Sequence, residues 1–118
     1  MTYDIHSVYL HEWMKPKHYK EVGLSLDEIV SVIPEPVWYI DNSHEQHTLC
    51  DYIIILQNQI AIPAELKGSR HQRHKAKSQL KAGQEYINQV LDMYCQVGLF
   101  LVYDGGVYHH EWIQDVKG

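Results

Sequence analysis

Three residues set the chemical question. In CDYIIILQNQIAIPAELKG, residues 50–68, two apolar runs flank a polar turn. Asp51 opens the first run, and Glu65 and Lys67 close the second. Side chains alternate across a strand, so Glu65 and Lys67, two apart, project from one face. A hairpin returns Asp51 to the same end of the sheet, because Asp51 starts one strand and Glu65 ends its antiparallel neighbour. Two carboxylates and an ammonium therefore converge. Carboxylate oxygens suit Mg²⁺, which keeps several waters and adds substrate phosphate oxygens. Such a metal stabilises charge on a phosphate and lowers the pKa of a bound water. A lysine beside it can orient or help deprotonate that water. This is the equipment for phosphodiester hydrolysis.

The elements that would position these groups follow from the apolar pattern. Residues 3–14 read as a helix, with Ile5, Val8, Tyr9 and Trp13 near helical spacing and Pro16 as its stop. Ser25 to Glu28 has capping-box spacing, which predicts a second helix from Leu26 to Ile33, ended by Pro34 and Pro36. Val37 to Ile40 reads as a short strand and 41–47 as a polar loop. Asp51 to Leu56 is apolar and β-branched, as in a buried central strand. Gln57 to Gln59 is the turn, and Ile60 to Lys67 returns. Ile60, Ile62, Ala64 and Leu66 share one face of that strand, and Ala61, Pro63, Glu65 and Lys67 the other. Pro63 donates no ladder bond, which predicts an edge position or a bulge. A long helix is expected from about Gln72 to Gln96, with an apolar stripe of Ala76, Leu80, Gly83, Ile87, Val90, Leu91 and Tyr94. Strands 98–103 and 107–113 follow around the turn Asp104-Gly105-Gly106. The whole chain, 1–118, is expected to form one α/β domain with a mixed sheet and a helix packed on it.

Asp51, thirteen residues, then Glu65-Leu66-Lys67 resembles the signature of the PD-(D/E)XK nuclease superfamily, with its restriction-endonuclease-like fold. The resemblance extends to context. That family places the Asp on one strand of a hairpin and E-x-K on the next, then a helix often bearing a glutamine, then a further strand. Here Gln79 lies twelve residues after Lys67, and GLFLVY supplies the later strand. The layout is similar to the family's αβββαβ core, a central mixed sheet flanked by helices, over about residues 26–103, and to small Holliday-junction resolvases and VRR-type nucleases. The resemblance implies that Asp51 and Glu65 bind Mg²⁺ or Mn²⁺ with the backbone carbonyl of Leu66, that Lys67 serves the attacking water, and that Gln79 assists from the helix. It also implies a further acid on the first helix. Glu12, Glu28 and Glu45 are candidates, and Glu28 fits the helix role best. Cys50 stands where the name-giving proline would be.

Charge is unevenly distributed. The net charge is −5, yet six of the ten Lys and Arg residues lie between Lys67 and Lys81. A local basic field on an acidic protein can draw in a polyanion; a solvated helix face gives the same pattern. At about 100° per residue, His71, Lys75, Gln79 and Tyr86 fall along one flank of the helix, beside the proposed site. Arg73, Lys77 and Lys81 fall on the far side, facing solvent. Arg70, His71, Arg73, Lys75, Lys77 and Tyr86 are thus candidate nucleic-acid contacts. Nine histidines do not supply a rival metal site, since no third ligand is spaced to join His71 and His74, and neighbours His109 and His110 point to opposite strand faces.

No apolar stretch approaches the roughly 20 residues of a membrane helix. The start of the chain lacks the basic and apolar segments of a signal peptide, and two cysteines make no disulfide framework, so a cytoplasmic setting is expected. The expectation is a Mg²⁺-dependent DNA endonuclease acting on junction, flap or duplex DNA. A homodimer would combine two basic helices, with strand 107–113, bearing Tyr108 and Trp112, as its surface. The alternative is an inactive nuclease-fold module that binds nucleic acid or another partner.

Overall fold

Strand pairing begins at the hairpin. The computed structural model describes residues 16–40, 45–104 and 107–114. The helix expected over 3–14, with Glu12, lies outside the described residues, as do the side chains of Glu45 and Tyr108. Strands β4 (Tyr52–Leu56) and β5 (Ile60–Lys67) pair antiparallel from Tyr52↔Ala64 to Leu56↔Ile60. Asn58 and Gln59 close the turn at φ 65° and 61°, and asparagine tolerates that left-handed region better than most residues.

The segment expected to be a helix from Leu26 to Ile33 is mostly a strand. One 3₁₀ turn, Leu26–Glu28, forms without a side-chain cap from Ser25, and β1 (Ile29–Pro34) follows. The β-branched run Ile29-Val30-Ser31-Val32-Ile33 pairs antiparallel with β4, and that pairing overrides the capping-box spacing. The register slips between Ile29 and Ser31 and leaves Val30 exposed. β2 (Val37–Ile40) is a strand as expected, but it pairs with β3 (Glu45–Thr48) in a separate two-stranded ribbon, where 45–47 had read as loop.

The long helix, α2 (Arg73–Gln89), carries the chain back so that β6 (Gly98–Asp104) lies parallel to β5. It stops seven residues earlier than the apolar stripe suggested. Val90 N–H and Leu91 N–H both donate to the Tyr86 carbonyl, and Asp92 turns the chain at φ 54°. Tyr94 then pairs with β5: the Ala61 N–H donates to its carbonyl at 2.9 Å, and its N–H donates to Gln59 at 2.8 Å. β7 (Val107–Ile113) completes a five-stranded mixed sheet, in the order β1-β4-β5-β6-β7.

Pro63 therefore sits in the central strand and not at an edge. N–H groups two residues apart point the same way along a strand, so position 63 faces the same side as Ala61. The β6 ladder begins only at Ala64↔Leu99, and the missing donor falls between it and the Tyr94 bridge.

Both sheet faces are covered. Ala76, Leu80 and Ile87 of α2 pack on Ile53, Ala61, Phe100 and Val102. On the opposite face, Tyr19 of the short helix α1 (Pro16–Glu21), with Val22 and Leu24, packs on Val32, Tyr52, Ile54, Ile62 and Leu101. Trp112 is half-buried against this second cluster, so it belongs to the core margin. Among the described residues, no helix is long and apolar enough to cross a membrane.

Gly83 lets α2 approach the sheet closely. A Cβ there would lie 2.9 Å from both Cys50 Sγ and Pro63 Cβ. Gly83→Ala should gain about 1 kcal/mol of helix propensity but lose about 2 kcal/mol to overpacking against the rigid proline. The expected result is a net loss of about 1 kcal/mol in urea unfolding; equal or greater stability would show that the packing is looser than the geometry states.

Candidate active site

Asp51 lies one residue beyond the last β4–β5 pair, and its carboxylate continues the ladder. Asp51 Oδ2 accepts from the Leu66 N–H at 2.8 Å. In return, the Asp51 N–H donates to Glu65 Oε1 at 2.9 Å. Each carboxylate thus caps the backbone of the other's strand. Lys67 Nζ lies 3.2 Å from Glu65 Oε2, with 17% of its side chain exposed against 3% for Glu65. The alternation along β5 holds: Glu65 and Lys67 face α2, while Ile62, Ala64 and Leu66 face the α1 side.

Burial is the first cause of the unusual state of Glu65. It pushes the carboxyl up from 4.5 to about 7, and the charge of Asp51 adds to the rise. The Lys67 hydrogen bond and charge, and the Asp51 N–H, oppose it. Cys50, just before Asp51, is fully buried, with its thiol donating to the Tyr52 carbonyl at 3.2 Å. Burial and then the charge of Glu65 push that thiol up, so it is a packing group and no nucleophile.

Strand and helix rise put Gln79 near the level of the pair. From the Gly83–Pro63 contact, two residues of β5 rise about 6.6 Å to Glu65. Four residues back along α2, which runs the opposite way, cover about 6 Å to Gln79 on the same helix face. Gln79 is half-buried there.

Glu28 is not brought to the site. The Gln57 N–H donates to its carbonyl at 3.1 Å, which sets it at the turn end of β4, about 20 Å from Asp51 at strand spacing. The cause is the same as for the missing helix: residues 29–34 run as a strand and carry position 28 to the wrong end. Tyr86 is half-buried and stacks edge-on with Trp38, ring centres 6.3 Å apart. Arg73 does not face solvent alone. Its Nε donates to Glu111 Oε1 at 2.9 Å and its Nη2 to Glu111 Oε2 at 2.7 Å. His71 and Lys75 are exposed, and Lys77 is half-buried.

Sequence reasoning missed Glu35. Its N–H donates to the Asp51 carbonyl at 2.7 Å. It sits between Pro34 and Pro36 at φ 46°, a conformation that costs a residue with a Cβ about 1–2 kcal/mol. Its charge, with that of Asp51, adds to the burial that pushes the Tyr52 phenol up. Reading 29–33 as a strand would have found it, because that pairing brings residue 35 beside residue 51.

No family model matches the chain, and neither a curated protein nor a solved structure does.

The buried carboxyl has a measurable consequence. In the folded chain Glu65 holds its proton up to about pH 7, whereas the unfolded chain releases it near 4.5. The resulting stabilisation is fully present below the unfolded value and is lost as pH rises through about 7, on the order of 3 kcal/mol in all. In chelator, unfolding free energy should fall over this window, and Glu65→Gln should flatten the fall. An unchanged slope in the variant would assign the dependence to another group.

Proposed function

We propose that this chain is a metal-dependent DNA endonuclease of the PD-(D/E)XK type. The observation that carries the reading is the reciprocal tie of Asp51 and Glu65 with Lys67 on Glu65, all at one end of one hairpin. The topology supports it: three antiparallel strands (β1, β4, β5), a helix and a parallel strand follow the order of that family's core.

The donor set fits a hard divalent ion. Two carboxylates share a partly buried position with one ammonium, and the rise of Glu65 to about 7 marks a place where added positive charge is favourable. Among the described residues, no group of three or more His, Cys, Asp and Glu could hold a metal. Asp51, Glu65 and the Leu66 carbonyl would hold Mg²⁺ or Mn²⁺ with water completing the shell, which suits these ions better than zinc. When bound, the ion would supply charge stabilisation at the phosphate and acidify a water. The chain's own groups do the rest. Lys67 favours the ionised form of Glu65 without outweighing its burial, and offers its ammonium to an attacking water or a phosphate oxygen. Gln79 adds amide donors and an acceptor at the same level. The reciprocal backbone caps keep the two carboxylates from swinging apart.

The substrate in this reading is junction, flap or duplex DNA, and the expected homodimer would use the open edge of β7. Incubating labelled four-way junction, flap, duplex and single-stranded DNA with Mg²⁺, Mn²⁺ or EDTA tests it. Metal-dependent cutting is expected, reduced about a hundredfold or more in Lys67→Ala. A folded wild-type protein that binds DNA but cuts none in either metal would leave the binding-only module as the better reading.

A further inference from the structure

A second feature shares the sheet face of Glu65 and Lys67. Register aligns Glu65, Phe100 and Glu111 in one row across β5, β6 and β7, and Lys67, Val102 and His109 in the next. Residues paired in register project to one side, here the α2 side. Buried Phe100 and Val102 floor a cleft of about 300 Å³, walled by Arg70 and Arg73 near the start of α2 and by His109 and Glu111 of β7. Glu111 is the one carboxylate among its lining residues, and Arg73 grips it with both ends of its guanidinium. That leaves Arg70 as surplus positive charge. It is exposed, and its guanidinium makes no hydrogen bond or ion pair among the described residues. His109 stands across the cleft from it, and His110 lines the same space.

We propose that this cleft binds a phosphate of a DNA strand that runs over the α2 face, flanking the phosphate held at Asp51, Glu65 and Lys67. The proposal rests on the nuclease reading and names how that site would hold its substrate. Strands lie about 4.8 Å apart, so β6 and β7 are about 5 and 10 Å from β5. One to three nucleotides of a strand cover that span, at about 3.4 Å of rise each. A guanidinium fork matches phosphate oxygens, and an imidazole N–H donates to the same atoms. On a chain with a net charge of −5, a cleft with surplus positive charge stands out as a place a polyanion can approach.

The test is fluorescence anisotropy of labelled flap and duplex DNA in EDTA across a salt series. It compares wild type with Arg70→Ala, His109→Ala, Glu111→Gln and a charge control, Lys20→Ala, on α1 over the opposite sheet face. Thermal melts establish that each variant is folded. Arg70→Ala is expected to weaken binding about tenfold and to lower the log–log salt slope by about one. His109→Ala should weaken it about threefold, Glu111→Gln should tighten it, and Lys20→Ala should match wild type. Arg70→Ala binding like Lys20→Ala, with an unchanged slope, overturns the proposal. The two readings fail separately. If Lys67→Ala abolishes cutting while Arg70→Ala binds and cuts like wild type, the cleft falls and the nuclease stands. If wild type never cuts but Arg70→Ala selectively loses DNA, the nuclease falls and the phosphate cleft stands.

Discussion

The mutual capping of Asp51 and Glu65 is the constraint on which the rest of the site depends. A strand ladder leaves dangling N–H groups where it ends, and buried ones are costly. Here the ladder ends at Tyr52↔Ala64, and the next donors, on Asp51 and Leu66, are satisfied by carboxylates from the opposing strand. Two carboxyl groups are thereby fixed to the backbone. The same bonds fix the phase of β5. A slip of one residue would send Glu65 and Lys67 to the α1 side and Leu66 into their place.

That arrangement holds a conflict. Glu65 is 2% exposed and sits beside another carboxylate. One ammonium and one backbone donor reduce the cost of its charge, yet burial and Asp51 still win, and the carboxyl is pushed up to about 7. A purely structural ion pair would be better placed at the surface, or replaced by apolar groups of similar volume. In the proposed reading, a further positive charge at this half-compensated carboxylate pair would lower the cost of ionising Glu65.

The hairpin was legible because its information is local. Alternation over Ile60–Lys67 placed Glu65 and Lys67 on one face, and the turn returned Asp51 to them. What failed was information carried by pairing partners distant in sequence. Ser25-Leu26-Asp27-Glu28 satisfies a helix-start pattern, but Ile29–Pro34 is claimed by β4, 18 to 27 residues on. That single error put Glu28 at the site and hid Glu35. Pro63 failed likewise, since only the gap between the Tyr94 bridge and β6 reveals why a proline fits a central strand. The helix wheel gave Arg73 a direction but could not show that β7 would present Glu111 to meet it.

The bidentate grip of Arg73 on Glu111 links these levels. As an exposed pair it contributes little to stability, about 1 kcal/mol at most. Its geometric effect is larger. It ties the first turn of α2 to β7, the open-edge strand of the sheet, across β6. The wall of the cleft and the level of Gln79 over Glu65 are then set by one rigid helix, pinned by Arg73 at its start and by the Gly83–Pro63 contact further along. Charge follows from this pinning. With Arg73 neutralised, Arg70 is the surplus cation of the cleft, and Lys75 and Lys81 stay exposed along α2. In the proposed nuclease reading, these cations would offset the repulsion between a polyanion and the carboxylate pair.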